Sequence, residues 1–326
     1  MSNTTPVKQE VQKEAFNWLS LIEKYRVLLI FIILCGIAGA LSDVFFTMSN
    51  VMNVLRQVSI IAIIASGMTL VILIAGIDLS VGAVMAFSGA ILAGALTAGW
   101  PLALALLAAL GVGLLFGLFN GFITARFGVP SFIATLAIMV IARGMTLVYT
   151  KGYPLVVSND AYRYIGSGRF FGVPIPIIIM FVVFGFMYWM LKYTSFGRYI
   201  FAIGGNEETA ILAGINVRAI KIAVFGISGL LSALSAIIYT SRLMSAQPTA
   251  GTGIELDAIA AVIIGGTSLA GGKGGVTGTL IGALIMGVLD NVLNLMNVSP
   301  FYQSIAKGLV ILIAVLVDSK FSKIKK

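Results

Sequence analysis

Residues 57–97 read QVSIIAIIASGMTLVILIAGIDLSVGAVMAFSGAILAGALT, 41 positions with a single charge, Asp78. A helix needs about 20 mostly apolar residues to cross the hydrocarbon layer of a bilayer. This stretch is twice that length, and a small polar break at Gly76–Asp78 divides it into spans at 57–75 and 79–97. Reading outward in both directions adds spans at 27–42, 102–123, 131–149, 174–191, 222–241, 257–272, 276–297 and 302–318, about ten in all. The segment 257–272 is short and Gly-rich, so a broken or re-entrant helix remains open there. Fusing the doubtful helices gives eight spans with the same ends. The expected fold is an all-α polytopic membrane protein: a polar tail at 1–26, one transmembrane domain at 27–318 and a tail at 319–326. The first tail is too long and too acidic, at Glu10, Glu14 and Glu23, for a simple signal peptide.

Composition agrees. Of 326 residues, 59% are hydrophobic and 10% charged, with a mean hydropathy of +1.06. A soluble domain carries roughly 25% charged residues, so this chain could not cover its surface against water. A soluble enzyme, a disordered chain and a coiled coil are excluded. There is no histidine, which removes the usual general base and the commonest metal ligand. The one cysteine, Cys35, supports neither a disulfide framework nor a CxxC site. No catalytic group, metal site or cofactor is expected.

The net charge of +9 would suggest nucleic acid in a soluble protein. Ten alternating spans with the N-terminus inside account for it differently. Of the 21 Lys and Arg, 14 fall on the inside, and Arg56, Lys151, Arg163, Arg169 and Arg242 on the outside. Arg143 and Lys307 lie within spans. This asymmetry is what the positive-inside rule demands. It puts both termini in the cytoplasm and leaves no nucleic-acid partner to invoke.

The longest inside connection, 192–221, is the most informative. Gly204 and Gly205 read as a turn, Asn206 as an N-cap, and Glu207 and Glu208 as acids in a first helical turn where the dipole favours them. Thr209, Ala210, Ile211, Leu212 and Ala213 continue a short helix that Gly214 and Asn216 end. Such a helix at the membrane surface is either a docking knob for another protein or an amphipathic connector resting on headgroups.

Four stretches together resemble one family. GRYIFAIGGNEETAILAGINV (197–217) is similar to the cytoplasmic coupling segment of bacterial monosaccharide ABC importer permeases, and VILIAGIDLSVG (71–82) to their early-span motif. SAQPTAGTGIELDAIAAVIIGGTSLAGGKG (245–274) and YQSIAKGLVILIAVLVD (302–318) are similar to their late motif and final span. The ribose-transporting branch stands nearest. The resemblance implies a homodimer of permeases, two cytoplasmic ATP-binding subunits or a fused double ATPase, and an extracytoplasmic sugar-binding protein. It also implies the fold of the vitamin B12 importer permeases, in the bacterial inner membrane. Gly205, Asn206, Glu207, Glu208, Thr209, Ala210, Leu212, Gly214 and Asn216 would then sit in a groove of the ATPase.

The run Gly265–Gly275 invites a phosphate-loop reading that fails. A Walker A loop needs Gly where Thr267 stands and Ser or Thr where Gly274 stands. It is read as a turn between helices, and ATP hydrolysis is assigned to another chain.

Polar groups inside a membrane are expensive and point to function. Arg143, Asp290 and Lys307 fall at similar depth in the outer third, which suggests pairing of Asp290 with Lys307 or Arg143, as a structural ion pair or as sugar contacts. Asp78 is read as an N-cap for a helix from Leu79, or as a functional carboxylate. Asn120, Gln247, Asn291 and Asn294 suit a wet pathway or interhelical hydrogen bonds. Gly113, Gly117 and Gly121, and Gly278 and Gly282, allow close helix approach within or between chains. A stand-alone secondary transporter or uniporter is the competing reading, with Asp290 as its deep carboxylate. A membrane enzyme is the weakest.

Overall fold

A computed structural model describes residues 18–324. Of the expected tails at 1–26 and 319–326, residues 1–17 and 325–326 lie outside the described residues. The order is α1 (Trp18–Leu41), α2 (Met48–Leu73), α3 (Val81–Thr97), α4 (Leu102–Phe127), α5 (Ser131–Thr150), β1 (Leu155–Val156), α6 (Asp160–Ser167), β2 (Arg169–Phe170), β3 (Val173–Pro174) and α7 (Ile175–Tyr193). There follow α8 (Ser195–Gly205), α9 (Glu207–Leu212), α10 (Val217–Leu243), β4 (Ser245–Ala246), α11 (Ile254–Ile264), α12 (Val276–Leu295) and α13 (Pro300–Ile324). The strands form two short antiparallel ladders, β1 with β4 and β2 with β3.

Local chemistry sets many of these boundaries. Pro101, Pro130 and Pro174 stand immediately before α4, α5 and α7, where a missing N–H costs nothing. Gly128, with φ +67°, closes α4 in the left-handed conformation that glycine adopts freely.

Six helices are long and apolar enough to cross a membrane: α2, α4, α5, α7, α10 and α12. Shorter apolar helices cover 26–41 in α1, the whole of α3, and 300–313 in α13. The chain is a polytopic helical membrane protein. The segment 257–272 is not one continuous helix: α11 has 11 residues, about 16 Å of rise. Irregular backbone at 247–253 and 265–275 flanks it. The first helix begins at Trp18, well inside the tail expected for 1–26, and α13 continues past 318.

Burial runs opposite to that of a soluble protein. Helix α2 forms the centre, and Val58, Ala62, Ile63, Ala65, Met68 and Val71 are shielded from all surroundings. The outer helices expose large apolar side chains such as Leu107, Leu115, Val140, Val148 and Phe186, a surface suited to lipid. Packing of α4 on α10 is the most extensive helix contact and depends on the glycine stripe. A Cβ at Gly121 would stand 2.6 Å from Ile222 Cα, and one at Gly117 would enter the Phe225 carbonyl. Gly278 and Gly282 likewise meet Gly265 and Ala261 of the α11 segment. Both stripes therefore act within the chain.

Helix α10, at 27 residues about 40 Å long, separates two ends of the bundle. Helices α8 and α9 lie at its start. At its finish lie β4, β1 and α6, a helix not foreseen in the connection 151–173. Tyr162 of α6 is fully buried and donates to the Ile237 carbonyl at 3.0 Å, while Ser241 Oγ accepts from Gly166 N at 2.8 Å. Burial pushes the Tyr162 phenol up, which keeps it a neutral donor.

The close approach of α4 to α10 is testable. Gly117→Ala should destabilise the folded chain by roughly 1–3 kcal/mol through overpacking. At Gly111 of the same helix a Cβ meets nothing within 4 Å, so Gly111→Ala should be neutral or stabilising. Thermal unfolding in detergent, with the two variants side by side, checks the contrast.

Candidate functional site

At the α8–α9 end, Asn206 Oδ1 accepts from Thr209 N at 2.8 Å and so caps α9, with Glu207 and Glu208 in the first turn. Ala213 and Gly214, the latter at φ +80°, end it, and Asn216 Oδ1 accepts from Ala219 N at 3.1 Å to cap α10. Gly204 and Gly205 are not a turn. They close α8, a helix that sequence reading left as a connection because its glycines read as breaks. Ala210 is buried beneath α9, whereas Leu212 is 88% exposed, with Ile211, Glu208 and Thr209 also facing outward. Lys221 Nζ meets Glu207 at 2.7 Å and ties α9 to α10, a surface pair worth ~0–1 kcal/mol. The result is a small acidic and apolar knob held on a stiff mount.

What lies beneath this knob is more constrained. A Cβ on Gly204 would enter the Leu73 carbonyl at the end of α2 and the Gly272 amide in the loop 265–275. Gly272 N donates to that same Leu73 carbonyl at 2.9 Å. Gly271, at φ +84°, lies against Ala75 and the Gly204 carbonyl. Three backbones thus meet with no side chain between them: the last turn of α8, the end of α2, and the loop joining α11 to α12. The glycine run that fails as a phosphate loop is the seat of the α8–α9 segment.

Two irregular stretches lie deeper. Residues 74–80 join α2 to α3, and side chains of α5 and a turn serve backbone amides freed there. Ile77 N donates to Ser131 Oγ at 2.9 Å, Leu79 N to Thr135 Oγ1 at 3.0 Å, and Gly76 N to the Val71 carbonyl. Asp78 is buried and accepts from Ser80 N (3.0 Å), Ser80 Oγ (2.6 Å) and Ser228 Oγ of α10 (2.9 Å). It braces the break rather than capping α3, which starts at Val81 after Ser80. Asn120 of α4 donates to Ser80 Oγ at 2.9 Å and joins this network.

The second stretch is 247–253. Arg143 Nη1 donates to the Pro248 and Ala250 carbonyls at 3.1 and 2.7 Å. The expected pairing with Asp290 is absent; Arg143 serves backbone freed by the break before α11. Gln247 Nε2 donates to Ser245 Oγ at 3.2 Å. This stretch meets the first turn of α3, just past the other break, where Gly82 and Gly251 touch backbone to backbone.

Lys307 does pair with Asp290, at 3.0 Å, and equally with Asp257, at 3.0 Å. The second acid was missed because 257 stood at the expected edge of a span. Asn291 exchanges hydrogen bonds with Asn50 at 2.9 and 3.0 Å, which staples α12 to α2, and exposed Asn294 accepts from Gln303 Nε2 at 2.9 Å. Among the sequence candidates, Asp78 and Asn120 share one network and Asp290 and Lys307 another. Arg143, Gln247, Asn291 and Asn294 stand apart from both.

This architecture, helical and polytopic with buried polar braces, is that of a multi-pass membrane protein. A family model described as the branched-chain amino acid transport system / permease component matches residues 50–315. The chain belongs to this permease family, in its ribose-like sugar branch. The ribose import permease protein of Haemophilus influenzae is 54% identical over 303 residues, 92% of this chain and 94% of the relative. That of Bacillus subtilis is 47% identical over 315 residues, 96% of this chain and 98% of the relative. The D-allose transport system permease of Escherichia coli is 37% identical over 326 residues, 99% of this chain and 100% of the relative. No solved structure matches the chain.

The ion triad yields an asymmetric prediction. Lys307→Met leaves two partly buried carboxylates facing each other and should cost about 3–5 kcal/mol. Asp290→Asn keeps the Asp257 pair and should cost clearly less. The yield of monodisperse protein and its unfolding midpoint measure both.

Proposed function

We propose that this chain is the membrane subunit of an ATP-driven monosaccharide importer, with ribose the first candidate. It would act as a homodimer with two ATP-binding subunits, or one fused double ATPase, and an extracytoplasmic sugar-binding protein. The observation that carries this reading is near-full-length similarity to ribose import permeases from distant bacteria, 47–54% identical. In this reading the single transmembrane domain has about ten spans, with α11 and its flanks as one broken crossing, arranged as in the vitamin B12 importer permeases. It sits in the cytoplasmic membrane with both termini inside.

The mechanism follows from the seat under α9. Helix α9 docks on the ATPase through Leu212, Ile211 and Glu208. Closure of the ATPases displaces α9 and the end of α8. Backbone contact at Gly204 leaves no compressible side chain to absorb the shift, so the end of α2 and the loop 265–275 move with it. The end of α2 runs directly into the irregular stretch 74–80, and the loop 265–275 reaches the stretch 247–253 through α11; rearrangement of those stretches alternates access. The chain supplies geometry and no covalent step.

Reconstitution with its ATPase and binding protein tests this. ATP should drive ribose accumulation that a protonophore leaves unchanged. Accumulation without ATP, or its collapse with the proton gradient, would favour a stand-alone secondary transporter. Two variant pairs sharpen the docking assignment. Glu208→Lys with Leu212→Asp should abolish co-purification of the ATPase while the permease remains folded. Gly204→Ala should lower sugar moved per ATP by about tenfold, a normal coupling loss. Gly205→Ala, where a Cβ meets nothing within 4 Å, should change little.

A further inference from the structure

One cleft of about 240 Å³ opens beside the break before α11. It is walled by Gln57, Ile60 and Ile61 of α2, Met85 of α3, Tyr239 and Arg242 of α10, and by 251–257. Gln57 stands nine residues into α2, about 13 Å from that helix's start. Met85 lies twelve residues from the end of α3, about 18 Å. The cleft therefore reaches from the α6 end to near mid-depth and ends where Gly82 and Gly251 touch.

Its chemistry is mixed in a particular way. Arg242 and Gln57 offer planar donors, Thr252 and Tyr239 hydroxyls, and Asp257 an acceptor that Lys307 holds at the rim through Oδ2. Ile60, Ile61, Met85 and Ile254 supply an apolar wall. Among the described residues the Arg242 guanidinium makes no hydrogen bond or ion pair, and Arg56, close enough for its charge to act on Arg242, keeps a buried Nε without an acceptor. Partly buried donors without partners favour a ligand that fills the cleft. An apolar ligand would leave the donors unpaired, and Asp257, its Oδ2 held by Lys307, can still accept from a ligand hydroxyl. A neutral polyol satisfies both, since hydroxyls accept from guanidinium and donate to carboxylate while the C–H face lies on the apolar wall.

We propose that this cleft is a binding station for a neutral monosaccharide on its way through the chain. The proposal rests on the importer reading above and adds to it which residues touch the sugar: Gln57, Arg242, Thr252 and Asp257. Discrimination belongs to such contacts, because a site built to hydrogen-bond a hydroxyl rejects an analogue that lacks it.

The test uses the full complex in proteoliposomes with radiolabelled ribose. Arg242→Gln, and Met85→Trp as a filler, should each lower sugar imported per ATP hydrolysed about tenfold. Thr252→Val, at an exposed and forgiving position, should shift the preference between ribose and its 2-deoxy analogue. Arg163→Gln on α6, outside the cleft, serves as the control. Unaltered import ratios and preference in all three cleft variants would overturn the proposal. So would stronger competition by ribose 5-phosphate than by ribose, which would mark an anion site. Failure of the wild-type complex to import ribose with ATP would instead sink the importer reading itself, so the two failures are distinct.

Discussion

Backbone polar groups cannot be left bare in hydrocarbon, and that constraint organises this structure. Each unsatisfied group costs several kcal/mol, so a chain that breaks its helices inside the membrane must supply partners or bury the break against other backbone. Both solutions are used. Ser131 and Thr135 of α5 bond to the stretch 74–80, and Asp78 gathers Ser80 and Ser228 around it. Arg143 takes two carbonyls of the stretch 247–253. Where no side chain serves, glycine lets backbone meet backbone, at Gly82 with Gly251 and at Gly204 with Leu73 and Gly272.

A tightly packed interior is what makes these breaks useful. Helices α4 and α10 lie at glycine contact, and α2 is almost wholly enclosed from Val58 to Leu73. Packed elements of this kind shift between discrete arrangements instead of deforming gradually. The breaks before α3 and α11 are the places where a shift can occur without unfolding a helix. The first leaves the seat of α8–α9 directly and the second reaches it through α11, while the polar cleft is bordered by Gly251 and Thr252 of the second and by Met85 in α3, just past the first. A push at α9 and a sugar in the cleft therefore act on the same two pieces of chain.

Legibility in the sequence followed the range of each interaction. Helix α9 and its caps were readable because Asn206, Gly214 and Asn216 act within four residues of themselves. The stripe Gly113, Gly117 and Gly121 announced close packing but not its partner, since a four-residue period carries no information about the facing helix. Asp290 with Lys307 followed from depth alone, yet Asp257 escaped, because α11 begins before the expected span and carries its acid inward. The role of Arg143 could not be read for a physical reason: carbonyls freed by an irregular stretch do not show in a census of side-chain charges. Helix α8 was hidden by glycines whose role is tertiary contact. The cleft drew on Gln57 and Arg242, residues that sequence reading placed at span edges, so no local pattern could assemble them.

The central claim is that α9, the end of α2 and the loop 265–275 move as one body when the partner ATPases bind nucleotide. Spin labels at Ala213 and Lys273, in a Cys35→Ser background, would read this directly in the assembled complex, with a Lys273–Tyr164 pair reporting motion against the far end. The account predicts a Ala213–Lys273 distance distribution that stays the same on ATP binding while the Lys273–Tyr164 distribution shifts. Displacement of Ala213 relative to Lys273 on ATP binding would contradict it.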